Sequence, residues 1–440
     1  MLAKVGAALQ RLLGPVVEEA SAKSGVIQRR REFSPMSLAM TFVLGHLWKP
    51  RASVADLANM AVQVGANVTP QAVDQRRTPQ LVQFLEHCFR ESLKIVVAST
   101  RSVAPLLERF TNVTLIDSTC LTLPESQQER FAGCGGSYSA SPAAVKLQTE
   151  LDLRSGGLSH IELEPGKSPD GATCRQRARR GPGSLRIADL GYFNVPVFAE
   201  MVAAQEHFLS RLQFGTGVLR PDGAALDLLS WLERQPGPFV DQAILLGLKE
   251  RLPCRLIAWR VPPEQANRRR QKLREDMKRK HGKEPSAERL AWCDWSILVT
   301  SVPAELLTPT EAVVLYRARW QIELLFKRWK SQGLVAALTG TTDVRTMVGV
   351  WSRLLACVVQ HWLLVATSWG DARISWDKAG QAIRDFASRI AASLNESAEF
   401  LQVLIDLTTT IAKTCRRNPR KKIGTFELLN NPELLDFCLT

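Results

Sequence analysis

The chain has 440 residues, 45% hydrophobic and 23% charged, enough for two to four domains with sizeable cores and far from the composition of a disordered polymer. Lysine and arginine outnumber the acids 57 to 43, giving a formal charge of +14 and a pI near 9.6, which favours a polyanionic partner, nucleic acid ahead of an anionic membrane. Nine scattered cysteines with no C-x-x-C pair argue against a zinc ribbon, a zinc finger or a disulfide framework, and fit reduced thiols in a cytosolic compartment.

Residues 1–108 are helical by pattern, with turns at Ser34-Pro35, Lys49-Pro50 and Gly65-Ala-Asn67. The N-terminus lacks the pattern of a signal peptide, because Arg11, Glu18 and Glu19 follow too soon. Within this region Ser53 to Ala58 predicts one short helix, and Thr69-Pro70 opens a second with Thr69 as cap and Pro70 at its first position. That is helix-turn-helix grammar, with Gln71, Gln75, Arg76 and Arg77 able to reach bases or phosphates; an ordinary helical hairpin is the plain alternative.

From about residue 111 the texture changes. Val113 to Ile116 is a short β-prone run ending in Asp117, and Ala144 to Arg154 alternates like a half-buried strand. Ser155-Gly-Gly157 is hairpin chemistry, after which Leu158 to Leu163 alternates again. Gly133-Cys-Gly-Gly136 has no following Gly-Lys-Ser/Thr and is not a phosphate loop. Leu185 to Ala188 is another short strand, ending in Asp189. Asn194 caps a helix, and His207 to Leu212 makes a further strand. Arg255–Val261 and Ser296–Val302 read as strands around a charged helical segment, Glu264 to Leu290. Helices are predicted over 309–333, 344–368 and 380–413. The apolar run Leu354–Trp369 contains Gln360 and His361 and reads as a buried helix of a soluble protein. Basic clusters fall at Arg268 to Lys280 and Arg416 to Lys422, where a solvated face competes with a DNA contact.

Asp117 and Asp189 each end a short apolar strand, where a carboxylate can point into a cleft while the strand holds it. A turn aspartate or helix cap is the alternative. On the 309–333 helix, Tyr316, Arg319, Glu323 and Lys330 fall near 0°, 300°, 340° and 320° at about 100° per residue, one arc of roughly 60°. Leu315, Ile322, Leu325, Phe326 and Trp329 form a separate apolar stripe. Glu323 would then sit on a polar edge beside a phenol and two cations; a solvated face with an Arg319–Glu323 pair is the competing reading.

Tyr316-x2-Arg319-x3-Glu323-x6-Lys330 resembles the YREK signature of DDE transposases of the insertion-sequence 4 family. Leu115-Ile-Asp117-Ser-Thr and Asp189-Leu-Gly-Tyr-Phe193 resemble that family's blocks around its two catalytic aspartates. The resemblance implies an α/β fold: a ribonuclease-H-like core, a mixed sheet flanked by helices, interrupted by a β-rich insertion, with helical N-terminal and C-terminal segments. In segments this reads as a DNA-binding domain over 1–108, core over 109–214, insertion over 215–305, core completed over 306–340 and a helical segment over 341–440.

It also implies the chemistry. The expected function is metal-dependent hydrolysis and strand transfer at the ends of an insertion sequence, by a cut-and-paste route. Asp117, Asp189 and Glu323 would be catalytic and would hold two Mg²⁺ (or Mn²⁺) ions. Two such ions about 3.5–4 Å apart can activate the attacking oxygen and stabilise the leaving one, and hard cations take oxygen ligands. Tyr316, Arg319 and Lys330 would grip backbone phosphates, and Trp295 would stack on an extruded base; a buried core role is the alternative for Trp295. The implied partners are transposon terminal inverted repeats and target DNA, with a homodimer in the synaptic complex and no membrane. The implied setting is the bacterial cytoplasm, associated with the nucleoid. A metal-dependent DNA nuclease on the same core, or a non-catalytic DNA-binding protein, are the alternatives.

Overall fold

The computed structural model describes residues 1–28, 32–100, 102–134, 142–237, 239–333, 342–418 and 423–435. Gly135-Gly136, Arg420-Lys421-Lys422 and Cys438 lie outside the described residues. The chain divides into two units: one of residues 1–103, 117–168 and 321–422, the other of residues 104–116, 169–320 and 423–440.

The first unit is mostly helical. The helix Pro35–Trp48 is apolar all round and almost wholly buried, as a central helix must be. Ser34 caps it, its side chain accepting from the Ser37 amide at 3.0 Å. Helices Val54–Gln63 and Pro70–Gln75 form where the capping signals place them. Ser53 closes a capping box with Asp56, and Thr69 accepts from the Ala72 amide at 3.2 Å with Pro70 behind it. The helix Asp343–Ser368 is long and apolar enough to cross a membrane, but 89% of its apolar window is buried within the protein, with Trp351 packed on Phe89 at 5.3 Å. The predicted 380–413 helix is instead three, Trp376–Asp385, Ala387–Ser393 and Ser397–Thr414.

This unit also holds a β-hairpin. Strands β2 (Ala144–Asp152) and β3 (Leu158–Pro165) pair antiparallel from Val145↔Pro165 to Leu151↔Leu158. Gly156 in the turn has φ +76°, and a Cβ there would lie 2.4 Å from the Trp369 ring, so only glycine fits. The buried His361 donates from Nε2 to the Gly156 carbonyl at 2.6 Å, tying the hairpin to the long helix.

The second unit is built on a sheet. β1 (Val113–Thr122) pairs parallel with β4 (Leu185–Ala188), and β4 pairs parallel with β5 (His207–Arg211). β6 (Val218–Leu219), β7 (Phe239–Leu246), β8 (Leu252–Arg260) and β9 (Trp295–Thr300) continue antiparallel, in the order β5-β9-β8-β7-β6. The strands of the 215–305 segment continue the same sheet in that order. Its core sits on the Val195–Ala203 helix, where Phe198 stacks on Phe208 at 4.2 Å. β1 runs through both units, and the strand order β3-β2-β1-β4-β5 with β1, β4 and β5 parallel is that of a ribonuclease-H-like α/β core.

Three local expectations change. β1 does not stop at Asp117 but runs on to Thr122. The charged 264–290 segment splits into helices Pro263–His281 and Ala287–Ala291 at Gly282, which takes a left-handed φ of +62°. The predicted 309–333 helix is divided at Arg319, itself right-handed helical in backbone angles, into Pro309–Ala318 and Trp320–Ser331.

Burial pushes His46 down to about 3 and His361 down to about 4, helped in His46 by the Arg353 and Arg77 charges. An unfolded histidine titrates near 6.5, so below that pH the unfolded chain binds protons that the folded chain refuses. Stability is therefore expected to be full above about pH 6.5 and to fall as pH drops toward 4. A His46→Gln/His361→Gln variant should melt lower at neutral pH, yet show a flatter melting temperature across that window in circular dichroism.

Candidate active site

The β1–β4 register runs Val113↔Leu185, Thr114↔Arg186, Leu115↔Ile187 and Ile116↔Ala188. Asp117 and Asp189 are the residues immediately after the last pair, and both are half-buried. Adjacent strands lie about 4.8 Å apart, so parallel strands in this register bring equivalent positions side by side. The Ser118 amide donates to Asp117 Oδ1 at 2.8 Å. Beyond Asp189 the chain makes a short 3-10 turn, with the Tyr192 amide donating to the Asp189 carbonyl at 3.0 Å. The buried Tyr192 packs with Ile116 and Ala188. Gln176 Nε2 donates to the Tyr192 carbonyl at 3.1 Å, and Arg186, only 1% exposed, holds Gln176 through its carbonyl and side-chain oxygens at 2.8 and 3.0 Å. A buried arginine thus braces the Asp189 turn from beneath.

Tyr316 sits in the last turn of the Pro309–Ala318 helix. A capping box of Thr308 and Glu311 starts that helix, and Arg109 clamps Glu311 with two guanidinium bonds at 2.8 and 2.9 Å. Burial pushes the Tyr316 phenol up to about 12, with the Asp189 charge adding to the rise and the Arg319 and Arg211 charges opposing it. Those causes place Tyr316, Arg319, Arg211 and Asp189 in one electrostatic neighbourhood. Beside it opens a cavity of about 270 Å³, lined by Tyr316, Arg211, Arg269, Arg317 and Trp259 among others, with no carboxylate in its wall. Three guanidinium groups around a cavity without a counter-charge suit an anion such as a phosphate. Of these, Arg269 belongs to the basic run noted in the sequence, whereas Arg211 and Arg317 lie on other elements and share no spacing with it.

Glu323 lies in the first turn of the Trp320–Ser331 helix, half-buried, and Lys330 is exposed near its end. The expected apolar stripe is present: Ile322, Leu325, Phe326 and Trp329 are buried. The half-buried Arg328 lies over the Trp376 ring at 4.3 Å. Among the described residues no three His, Cys, Asp or Glu side chains gather closely enough to hold a metal ion.

Trp295 does not sit where an extruded base could reach it. It is 3% exposed in the core, its ring beneath the Arg260 guanidinium at 4.9 Å, so the core alternative describes it. The tryptophan presented to solvent is Trp320, 54% exposed, between Arg319 and Glu323. Its signal was legible as the one aromatic falling off the buried stripe of its own helix.

In the helical unit Gln71 and Gln75 are exposed. Gln75 and Arg76 line a groove of about 450 Å³ with Thr78 and Gln80. Arg76 also lies over Phe33 at 5.6 Å. Arg77 pairs with Asp74 at 3.4 Å, and Asp74 with Arg345 at 2.5 Å.

A ribonuclease-H-like sheet with an aspartate within β1 and another directly after β4, together with a cation-walled cavity, is the frame of enzymes that act on phosphodiesters. The family model for the transposase DDE domain matches residues 108–358. The chain belongs to the DDE transposase family, whose chemistry is DNA cleavage and strand transfer in DNA transposition. It is 27% identical over 458 residues to the transposase for insertion sequence element IS231C of Bacillus thuringiensis subsp. berliner, covering 96% of this chain and 94% of that protein. It is 28% identical over 351 residues to the transposase for IS231F of Bacillus thuringiensis subsp. israelensis, covering 73% and 72%. It is 30% identical over 274 residues to the putative transposase InsL for IS186A of Escherichia coli (strain K12), covering 60% and 69%.

Raised to about 12, the Tyr316 hydroxyl is expected to stay protonated, and able to donate to a phosphate, through the alkaline range in which a free tyrosine ionises near 10. The difference between wild-type and Tyr316→Phe absorbance titrations should show one tyrosine ionising only near pH 12; an ordinary midpoint near 10 would mean the phenol is solvated.

Proposed function

We propose that this transposase moves an insertion sequence by a cut-and-paste route, with Asp117, Asp189 and Glu323 as the ligands of two Mg²⁺ or Mn²⁺ ions. The observation that carries this reading is the in-register parallel pairing of β1 and β4, which ends at Ile116↔Ala188 directly before the two aspartates. Three carboxylates are an all-oxygen donor set of the kind magnesium takes, and no histidine or cysteine is needed. When bound, such ions would supply Lewis-acid activation of the attacking oxygen and stabilisation of the leaving one.

The chain's own residues do the positioning. Arg319 and Lys330 bind backbone phosphates, Arg as a two-pronged donor and Lys as a point charge, and the protonated Tyr316 hydroxyl donates a further hydrogen bond. Arg211, Arg269 and Arg317 extend that grip into their cavity. Trp320, rather than Trp295, offers a ring to an unstacked base, a contact worth about 1–3 kcal/mol. Gln71, Gln75 and Arg76 read the terminal inverted repeat. Two ends must be held together, so the active form is a homodimer on the paired ends, working on DNA in the bacterial cytoplasm.

Asp117→Asn and Asp189→Asn should each lower cleavage of a duplex carrying the element's end by about 10³-fold or more, since the metal term is worth several kcal/mol, while leaving affinity for that duplex near wild type. Glu323→Gln should do the same; full cleavage by that variant would remove Glu323 from the ligand set. Joining of the cut ends into a target plasmid separates the transposase from a plain nuclease. Trp320→Ala should slow cleavage with an intact duplex more than with an end whose terminal base is already unpaired. Equal slowing on both would argue against stacking.

A further inference from the structure

Apart from Arg269, which lines the cavity described above, the helix Pro263–His281 has no role in that site, and its composition is unusual. Its 19 residues contain no valine, isoleucine or threonine and are rich in Arg, Lys, Gln and Glu, all good helix formers. Pro263 at the first position and left-handed Gly282 after the last frame it. Only Ala266 is buried. The inner face is identified by its anchors. Arg270 forms an ion pair with Asp294, Arg269 donates to the Trp295 carbonyl at 3.1 Å and to Ser296 Oγ at 3.0 Å, and Met277 meets Arg289 at 3.4 Å.

With that face turned inward, about 100° per residue places Arg268, Lys272 and Arg279 within roughly 40° of one another on the outer face, with Arg274 and Lys278 along its other side. All five are exposed. The acids on the outer face are Glu264 and Glu275. Arg268 meets Glu264 only at 3.8 Å, and both are largely in water; Arg279 pairs with Asp276 at 2.6 Å. Among the described residues Lys272, Arg274 and Lys278 form no ion pair. Last-turn cations complement the helix dipole, which accounts for Lys278 to His281 but not for Lys272 or Arg274 in the middle. Arg274 and Lys278 moreover lie one turn apart, a like-charge spacing that costs a few tenths of a kcal/mol. A helix that accepts such repulsion on an unpacked face is suited to an anionic partner.

We propose that the outer face of this helix docks along the phosphate backbone of duplex DNA. The choice of partner rests on the transposase function; the existence of the surface does not. Arg268 and Arg279 are eleven residues apart, about 16 Å of helix, enough to face several phosphates. A lipid surface fits less well, because the helix's apolar residues, Ala266, Leu273 and Met277, face inward and leave nothing to insert into a bilayer.

The test uses the full chain, with Lys272→Gln/Arg274→Gln/Lys278→Gln, and a duplex of arbitrary sequence, since backbone contacts do not read bases. Binding is followed by fluorescence anisotropy over a salt series. Each phosphate contact contributes about 0.9 to the slope of log affinity against log salt, so the triple variant should be shallower by about 2–3 and bind about tenfold or more weakly at low salt. The charge-keeping Lys272→Arg/Lys278→Arg variant should match wild type, and both should melt as wild type does, since the changed residues are exposed. An unchanged slope in the triple variant overturns the proposal. So does tight binding of wild type to phosphatidylserine vesicles that the triple variant loses while its DNA slope stays the same. Failure of the wild type to bind or cut DNA at all would instead strike the transposase function, a different result.

Discussion

Four residue pairs between two parallel strands set where Asp117 and Asp189 fall along the sheet. The β1–β4 ladder from Val113↔Leu185 to Ile116↔Ala188 is buried on both strands, and side chains alternate faces with a period of two. A slip of one residue would send Leu115 and Ile187 to opposite faces and turn the aspartate of one strand away from its neighbour's. The apolar residues of these strands are therefore as much a part of the carboxylate geometry as the carboxylates. The buried Arg186–Gln176–Tyr192 chain serves the same end from the other side, giving the turn after Asp189 a fixed hydrogen-bonded floor.

Much of this was legible because the signals are local. Short apolar runs ending in aspartate, hairpin glycines and the caps at Ser53, Thr69 and Asn194 all act within a few residues, and the strands and helices form where these signals fall. What was not legible depends on partners distant in the chain. β6 is two residues long, and β7 alternates poorly; both exist because β8 supplies a ladder for β7, and β7 for β6. No glycine or proline marks the break at Arg319, so the pattern ran straight through it. The Arg77–Asp74–Arg345 chain of charges was equally hidden, because Arg345 lies far along the chain.

The tryptophans make the same point about burial. Trp295 and Trp320 both stand near acidic residues in the sequence, and residue type does not separate them. Trp295 belongs to a strand paired on both sides, every residue of which is buried. Trp320 opens a helix whose apolar stripe points elsewhere. Strand pairing and helix phase, not spacing from Glu323, decide which ring is available for contact.

The double attachment of Asp74, to Arg77 at one side and to Arg345 on the long buried helix at the other, has a consequence for modularity. The helical pair 54–75 resembles a portable reading head, but its end is moored by a side chain supplied more than two hundred residues later in the chain. Cut out as a peptide, it would lose its mooring. Swapping it between relatives to redirect which DNA ends are recognised would call for exchanging the start of the 343–368 helix along with it.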